Sequence, residues 1–266
     1  MFKELRSLDR DAHRELRFVA QQPYHFAAHE MLIPIVAGEA SVVAREYAIV
    51  FLPDKESPPS ALVGVQEGVN AHVLPSGQWA ARYIPAHVRR YPFMLVQSPS
   101  EQSEKKEEGR SFVMVFDQKA PHLNESTGER LIEDDGQPSP ILKRIQEVLL
   151  KLQQDLERTR HLIRQIHEAG LLVERVITVE TRDGESRALK GFRVVDTDKL
   201  NGCSPETLQS LMNSGALLLI FSHLISMTNL RDGHLARTSD KPPHGAAEVS
   251  LDEIFGESKG DVFKFS

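Results

Sequence analysis

Residues 139–170, SPILKRIQEVLLKLQQDLERTRHLIRQIHEAG, carry the clearest structural signal in the chain. Ser139 is a good helix N-cap, and Pro140 suits the first helical position because its missing N–H would have no partner there. Ile141, Ile145, Val148, Leu149, Leu152, Leu156, Leu162, Ile163 and Ile166 then recur at helical spacing. Gly170 suits the left-handed residue that closes a helix. A helix of this length runs on the order of 45 Å. It must either kink or bridge two lobes of a body this size.

The sequence on either side of this helix has a different character. Upstream, short apolar runs are cut by turn residues. Residues 48–52, 61–65, 71–74, 93–96 and 112–116 read as strands, and Pro34 between Ile33 and Ile35 reads as an edge segment, since proline lacks a ladder donor. Residues 24–26 read as a short strand or turn, and residues 38–47 as a helix. Residues 1–120 are thus expected to be β-rich and antiparallel. The Glu- and Lys-dense stretch 98–110 reads as a solvated, mobile loop.

Downstream, residues 171–181 and 187–195 read as a hairpin around Asp183-Gly184. Ser204-Pro205 repeats the N-cap and proline signature. Gly215 breaks that helix, and residues 216–230 continue as a more buried one. The fold class is α+β: a β-rich antiparallel N-terminal part, one long central helix, a β-hairpin and C-terminal helices. Residues 1–230 form one unit, and residues 231–266 read as a flexible polar tail with small apolar clusters at 249–255 and 262–265.

Composition narrows the function. The chain has 266 residues, 40% hydrophobic and 26% charged, with a formal net charge of −6. An acidic balance argues against nucleic-acid binding and against a polybasic membrane anchor. The first residues lack the apolar stretch of a secretion signal, and the run 215–230, with Ser222, His223 and Ser226 in it, is too short to span a bilayer. These readings predict a cytoplasmic protein with no membrane insertion. The single cysteine, Cys203, can form no internal disulfide and no thiolate metal cluster, and reads as a small packed residue.

The segment Gly77-Gln-Trp79-Ala-Ala-Arg-Tyr83-Ile84-Pro85-Ala86-His87-Val88-Arg89-Arg90-Tyr91-Pro92-Phe93 resembles the central pattern of the SapC family. Other pieces follow in the family's order: Glu39 before Tyr47-Ala-Ile-Val-Phe51, then Gly64, Gly68 and Asn70, then Gly191-Phe192, Val195-Asp196 and Lys199-Leu200. Gly215, Ser222-His223-Leu224, Ser226-Met227 and Leu230 complete it, so the resemblance covers about residues 10–230. Ala48 stands where the family usually has proline. The resemblance implies an association with surface-layer protein export or a neighbouring modification pathway. It brings no catalytic residues to carry over.

Much of 77–93 is explicable as backbone chemistry. Ile84 and Tyr91 each precede a proline and are pushed toward extended geometry. Arg89 and Arg90 suit the C-terminal end of a short helix. The functional reading is a recognition surface in which Trp79, Tyr83 and Tyr91 are aromatic walls and Arg89 or Arg90 grips a carboxylate bidentately. Other candidates fall away. His25 and His29 would lie about 13 Å apart on a strand, too far to share a metal. Ser222 and His223 point about 100° apart on a helix, so His223 reads as a hydrogen-bonded core residue. Asp134-Asp135-Gly136 is a turn, and Gly64 with Gly68 is too loose for phosphate. There is no G-x-S-x-G elbow, P-loop or dinucleotide motif. The expectation is a non-catalytic accessory protein for a peptide or protein partner, without cofactor or metal. An enzyme assembled from loops, or a subunit that oligomerises through helix 139–170, are the alternatives.

Overall fold

The computed structural model describes residues 1–97, 112–180 and 186–235. The loop expected at 98–110, the Asp183-Gly184 turn and the tail clusters lie outside these residues. In chain order the elements are β1 (Leu5–Ser7), β2 (Arg17–Phe18), a 3-10 turn (Tyr24–Ala27), β3 (Leu32–Pro34), α1 (Ala40–Val43), β4 (Ala48–Val50), β5 (Ser60–Leu62) and α2 (Ala86–Arg89). They continue with β6 (Phe93–Gln97), β7 (Phe112–Asp117), β8 (Leu123–Asn124), β9 (Glu129–Arg130), α3 (Pro140–Glu168), β10 (Leu172–Glu180) and β11 (Ser186–Val195). Last come α4 (Thr197–Asn201), α5 (Pro205–Ser214), α6 (Ala216–Ser226) and α7 (Asn229–Asp232).

The fold is α+β, as expected, and every strand pairing among the described residues is antiparallel. The sheets are β1-β7-β6, β8-β2-β9, β3-β5-β4 and the β10-β11 hairpin. Pro34 lies on β3, an edge strand, where its missing donor costs nothing. Backbone bonds of 3.1 and 2.8 Å between Phe51 and Arg193 tie the end of β4 to β11.

β4 is covered on both faces, because alternate residues point opposite ways along a strand. Ile49 and Phe51 pack into one core with α1, the C-terminal half of α3, and α6. Ala48 and Val50 pack into another with Ile177, Val179, Phe192 and Val194 of the hairpin. A third core joins Phe93, Met114 and Phe116 to Leu142 and Leu149 of α3. The long helix therefore spans two cores: its first turns serve the third, and Leu162, Ile163 and Ile166 serve the first. Ser139 caps it by accepting from Leu142 N at 3.3 Å, and Gly170 follows its end at φ 69°.

Three local expectations need correction, and a fourth holds. The helix expected at 38–47 is one turn of 3-10 followed by the single turn α1. The strand expected at 71–74 does not form; Asn70 bends the chain there, its side chain accepting from His72 N and donating to Ala27 O. α6 is the more buried of the two C-terminal helices, as expected, with Ala216, Leu219, Ile220, Ser222, His223 and Ser226 inside against Leu211 alone in α5, while Leu218, Phe221 and Ile225 are exposed. The chain stays on the body past Arg231: α7 runs to Asp232, His234 Nε2 meets Ala71 O at 2.9 Å, and Leu235 is buried.

His223 shows why the Ser222–Ser226 region has polar residues in an apolar helix. It is fully buried, with Nδ1 2.8 Å from Ile49 O and Nε2 accepting from Val195 N at 3.1 Å. Ser226 Oγ donates to His223 O and accepts from Ile49 N. The two side chains satisfy backbone groups of β4 and β11 that lack ladder partners. Burial pushes the imidazole down to about 4, so it is neutral.

Candidate functional site

The segment 77–93 is placed by contacts distant in sequence. Gly77 has φ 80°, and a Cβ there would lie 2.5 Å from Pro23 Cβ and 2.8 Å from His25 Nε2. Its carbonyl accepts from Tyr24 N at 2.7 Å, which brings Tyr24 beside Trp79. Further along, Glu39 is buried and receives three donors. Its Oε1 accepts from Val36 N, while Oε2 accepts from Tyr83 OH at 2.7 Å and from Ala86 N at 2.9 Å. A carboxylate at the first turn of α2 meets the partial positive charge of free N–H groups. The Tyr91-Pro92 peptide is cis, and it leads α2 into β6.

Trp79 and Tyr83 meet through Tyr47. The Trp79 Nε1–H donates to Tyr47 OH at 2.7 Å, and Tyr47 OH donates to Tyr83 O. Burial pushes the Tyr47 phenol well above its usual range, so it stays a donor. Arg89 is committed to this network: its Nε donates to Ile84 O at 2.9 Å, its Nη2 to Tyr83 OH at 3.1 Å, and its guanidinium lies over the Tyr83 ring.

Arg90 points elsewhere, as adjacent helical residues must. Its guanidinium lies 5.6 Å from the centre of the Phe2 ring, and its Nη2 is 3.2 Å from His87 Nε2. Burial, with the Arg90 charge beside it, pushes His87 down to about 3, so His87 accepts as a neutral imidazole. Arg90 Nε is buried with no acceptor, and among the described residues no carboxylate pairs with this side chain. Burial alone lowers Arg90 to about 10, which leaves it charged at neutral pH. A largely desolvated cation without a counter-charge is unusual, because such groups are normally paired.

Tyr91 is only 4% exposed, so it is not an outer wall. Its OH donates to Asp117 Oδ2 at 2.9 Å. Burial raises Asp117, but donors from Glu4, Lys3, Tyr91 and Lys119 outweigh that and hold the carboxyl below its ordinary range. The bonds from Lys3 N and Glu4 N, each 2.9 Å, also set Phe2 against Tyr91.

The five residues singled out from sequence thus form two groups: Trp79, Tyr83 and Arg89 on one side, Arg90 and Tyr91 on the other. Half-buried aromatic rings link them. Trp79 meets Tyr24 at 5.7 Å, Tyr24 meets Phe26 at 5.9 Å, Phe26 stacks on Tyr91 at 4.0 Å, and Tyr91 meets Phe2 at 5.3 Å. Phe2, Tyr24, Phe26 and His87 are the members that sequence reasoning missed. His87 had a signal, since it sits three residues before Arg90 on a helix. Phe2 had none, because its place depends on Asp117.

These features define an α+β protein with a short aromatic strip that ends on an unpaired, partly buried arginine. The chain belongs to the SapC family, whose model matches residues 8–232. No curated protein and no solved structure matches it. No single described helix is long and apolar enough to cross a membrane, and no group of three or more metal-binding side chains occurs among the described residues.

Proposed function

We propose that this SapC-family chain is a cytoplasmic accessory protein that binds a peptide or protein partner without turning it over. The partner's carboxylate sits on Arg90, and its apolar neighbour lies along Phe2, Phe26, Tyr24 and Trp79. The observation that carries this reading is Arg90: a charged guanidinium, mostly removed from water, with a buried Nε–H that has no acceptor. An incoming carboxylate supplies what the fold withholds, two charge-assisted hydrogen bonds in a fork geometry.

Binding is favoured over turnover by the state of the histidines. Burial pushes His72, His122 and His223 down to about 4, and His87 lower still, so all are neutral. His72 and His223 are held by backbone groups and His87 by Arg90. None is aimed at a serine, cysteine or carboxylate that it could activate. The family's association with surface-layer export supports a partner in surface-protein export or an associated modification pathway.

Partner recovery from host lysate tests this with separated substitutions. Arg90→Gln is expected to lose the partner, while Arg89→Gln, which breaks only the Tyr83 network, is expected to keep it. Equal recovery with wild type and Arg90→Gln would remove the basis of the proposal.

A further inference from the structure

A second surface lies far from Arg90 in the chain. A groove of about 560 Å³ opens between α5 and α6, lined by Leu208, Met212, Leu217 and Phe221, with Leu200 and Pro205 beside them. Met212 is 62% exposed and Phe221 49%, and Leu218 and Ile225 extend the open apolar face along α6. The two helices meet at 91° about Gly215, which holds the groove open. Apolar side chains this exposed and contiguous call for a cover.

The chain itself carries a segment of matching chemistry. The described part ends at Leu235, buried in the core that includes Met227 and Leu230 just past α6. Phe221 is six residues before Met227, about 9 Å along the helix axis. Residues 236–248 are polar and are followed by Val249-Ser250-Leu251-Asp252-Glu253-Ile254-Phe255-Gly256. Leu251, Ile254 and Phe255 stand at i, i+3 and i+4, the spacing of one helical face. Ser250 and Glu253 have capping-box spacing, and Gly256 follows as a stop. A polar linker the length of 236–248 has a root-mean-square span of roughly 20 Å, enough to reach the groove from Leu235. The segment is acidic, with Asp252 and Glu253 between its apolar residues, and cations are near the two helices: Arg158 Nη2 lies 3.5 Å from where a Cβ on Gly215 would stand, and Lys199 precedes the groove residue Leu200.

We propose that residues 251–255 of the same chain occupy the α5–α6 groove, with Leu251, Ile254 and Phe255 facing it. Tethering makes the contact intramolecular, at an effective concentration in the millimolar range, so a small apolar face suffices.

Cys203, the sole cysteine, lies between the groove residues Asn201 and Pro205 and offers a single labelling point. A nitroxide on Cys203 of the full chain should broaden the amide signals of 251–255 several-fold more than those of 238–246. Phe255→Asp should abolish that contrast while leaving the signals of α3 in place. If labelling disturbs α4, Asn213→Cys in a Cys203→Ser chain carries the label instead, since Asn213 is exposed beside the groove without lining it. Broadening that is weak and uniform over 236–266 would overturn the proposal, as would its persistence in Phe255→Asp. Broadening that appears only between molecules, in a mixture of nitroxide-bearing and isotope-labelled chains, would assign the groove to a second copy and overturn it too.

Discussion

Replacing Arg90 with methionine should make the free protein more stable. The arginine's proton affinity falls from an ordinary 12.5 to about 10 because burial penalises the charge. Each unit corresponds to about 1.4 kcal/mol, so holding the cation in place costs the folded state about 3 kcal/mol. Methionine keeps an unbranched apolar stem over Phe2 and adds a favourable sulfur–aromatic contact. Against this stands the lost bond from the cation to His87 Nε2, which at 3.2 Å is set at the low end of the charged range, about 1.5 kcal/mol. The net expectation is a gain of about 1.5 kcal/mol, or a rise in Tm of about 3–6 °C for a domain of this size. Urea unfolding of wild type and Arg90→Met at pH 7, with matching slopes, measures it directly. A variant that is destabilised by 1 kcal/mol or more would show that Arg90 is already satisfied by the fold, and the reasoning that it waits for a ligand would fail. Stability gained as binding is lost is the usual relation at sites kept strained for function.

Other outcomes follow from the same geometry. His223 falls from 6.5 to about 4 on folding, so between those values the unfolded chain binds more protons and stability is lost as pH drops. At pH 4.5 this group alone should cost about 2.5 kcal/mol relative to pH 7; His223→Phe, weaker at pH 7 because Ile49 O and Val195 N lose their partner, should show a wild-type advantage that shrinks by about that amount in urea unfolding at the two pH values. Gly77→Ala should cost about 3 kcal/mol or more, from the positive φ and the clash with Pro23 and His25, and should separate Tyr24 from Trp79, read as a shift in Trp79 fluorescence. Tyr91→Phe removes a hydrogen bond to the Asp117 carboxylate and should cost about 1.5–3 kcal/mol; a change below 0.5 kcal/mol in thermal unfolding would mean that the bond adds nothing.

What the sequence disclosed was local. Ser139-Pro140 and Ser204-Pro205 mark helix starts through chemistry confined to one turn, and in the structure Ser139 and Ser204 accept from Leu142 N and Thr207 N. The hairpin's strands and the edge position of Pro34 follow from alternation and from a missing donor. The failures came from contacts across the chain. The helix expected at 38–47 stops short, and its Glu39 caps α2, a partner invisible from sequence spacing. The strand expected at 71–74 yields to Asn70, whose side chain reaches back to Ala27. Within the candidate site, composition marked Arg89 and Arg90 as equals. They part because neighbouring helical positions face different ways, so that one meets Tyr83 and the other Phe2, and only the structure shows that Arg89 finds oxygen acceptors in Ile84 O and Tyr83 OH while Arg90 Nε is buried without one.

The central claim is that Arg90 is a carboxylate receptor at the end of an aromatic strip. Calorimetric titration with N-acetyl-phenylalanine against N-acetyl-phenylalanine amide, on wild type and Arg90→Met, tests it most directly. A charge-assisted pair is worth about 1.5–3 kcal/mol, so wild type should prefer the carboxylate about 10- to 150-fold and Arg90→Met should show no preference. Equal affinity of wild type for acid and amide, or a preference that survives in Arg90→Met, would contradict the account.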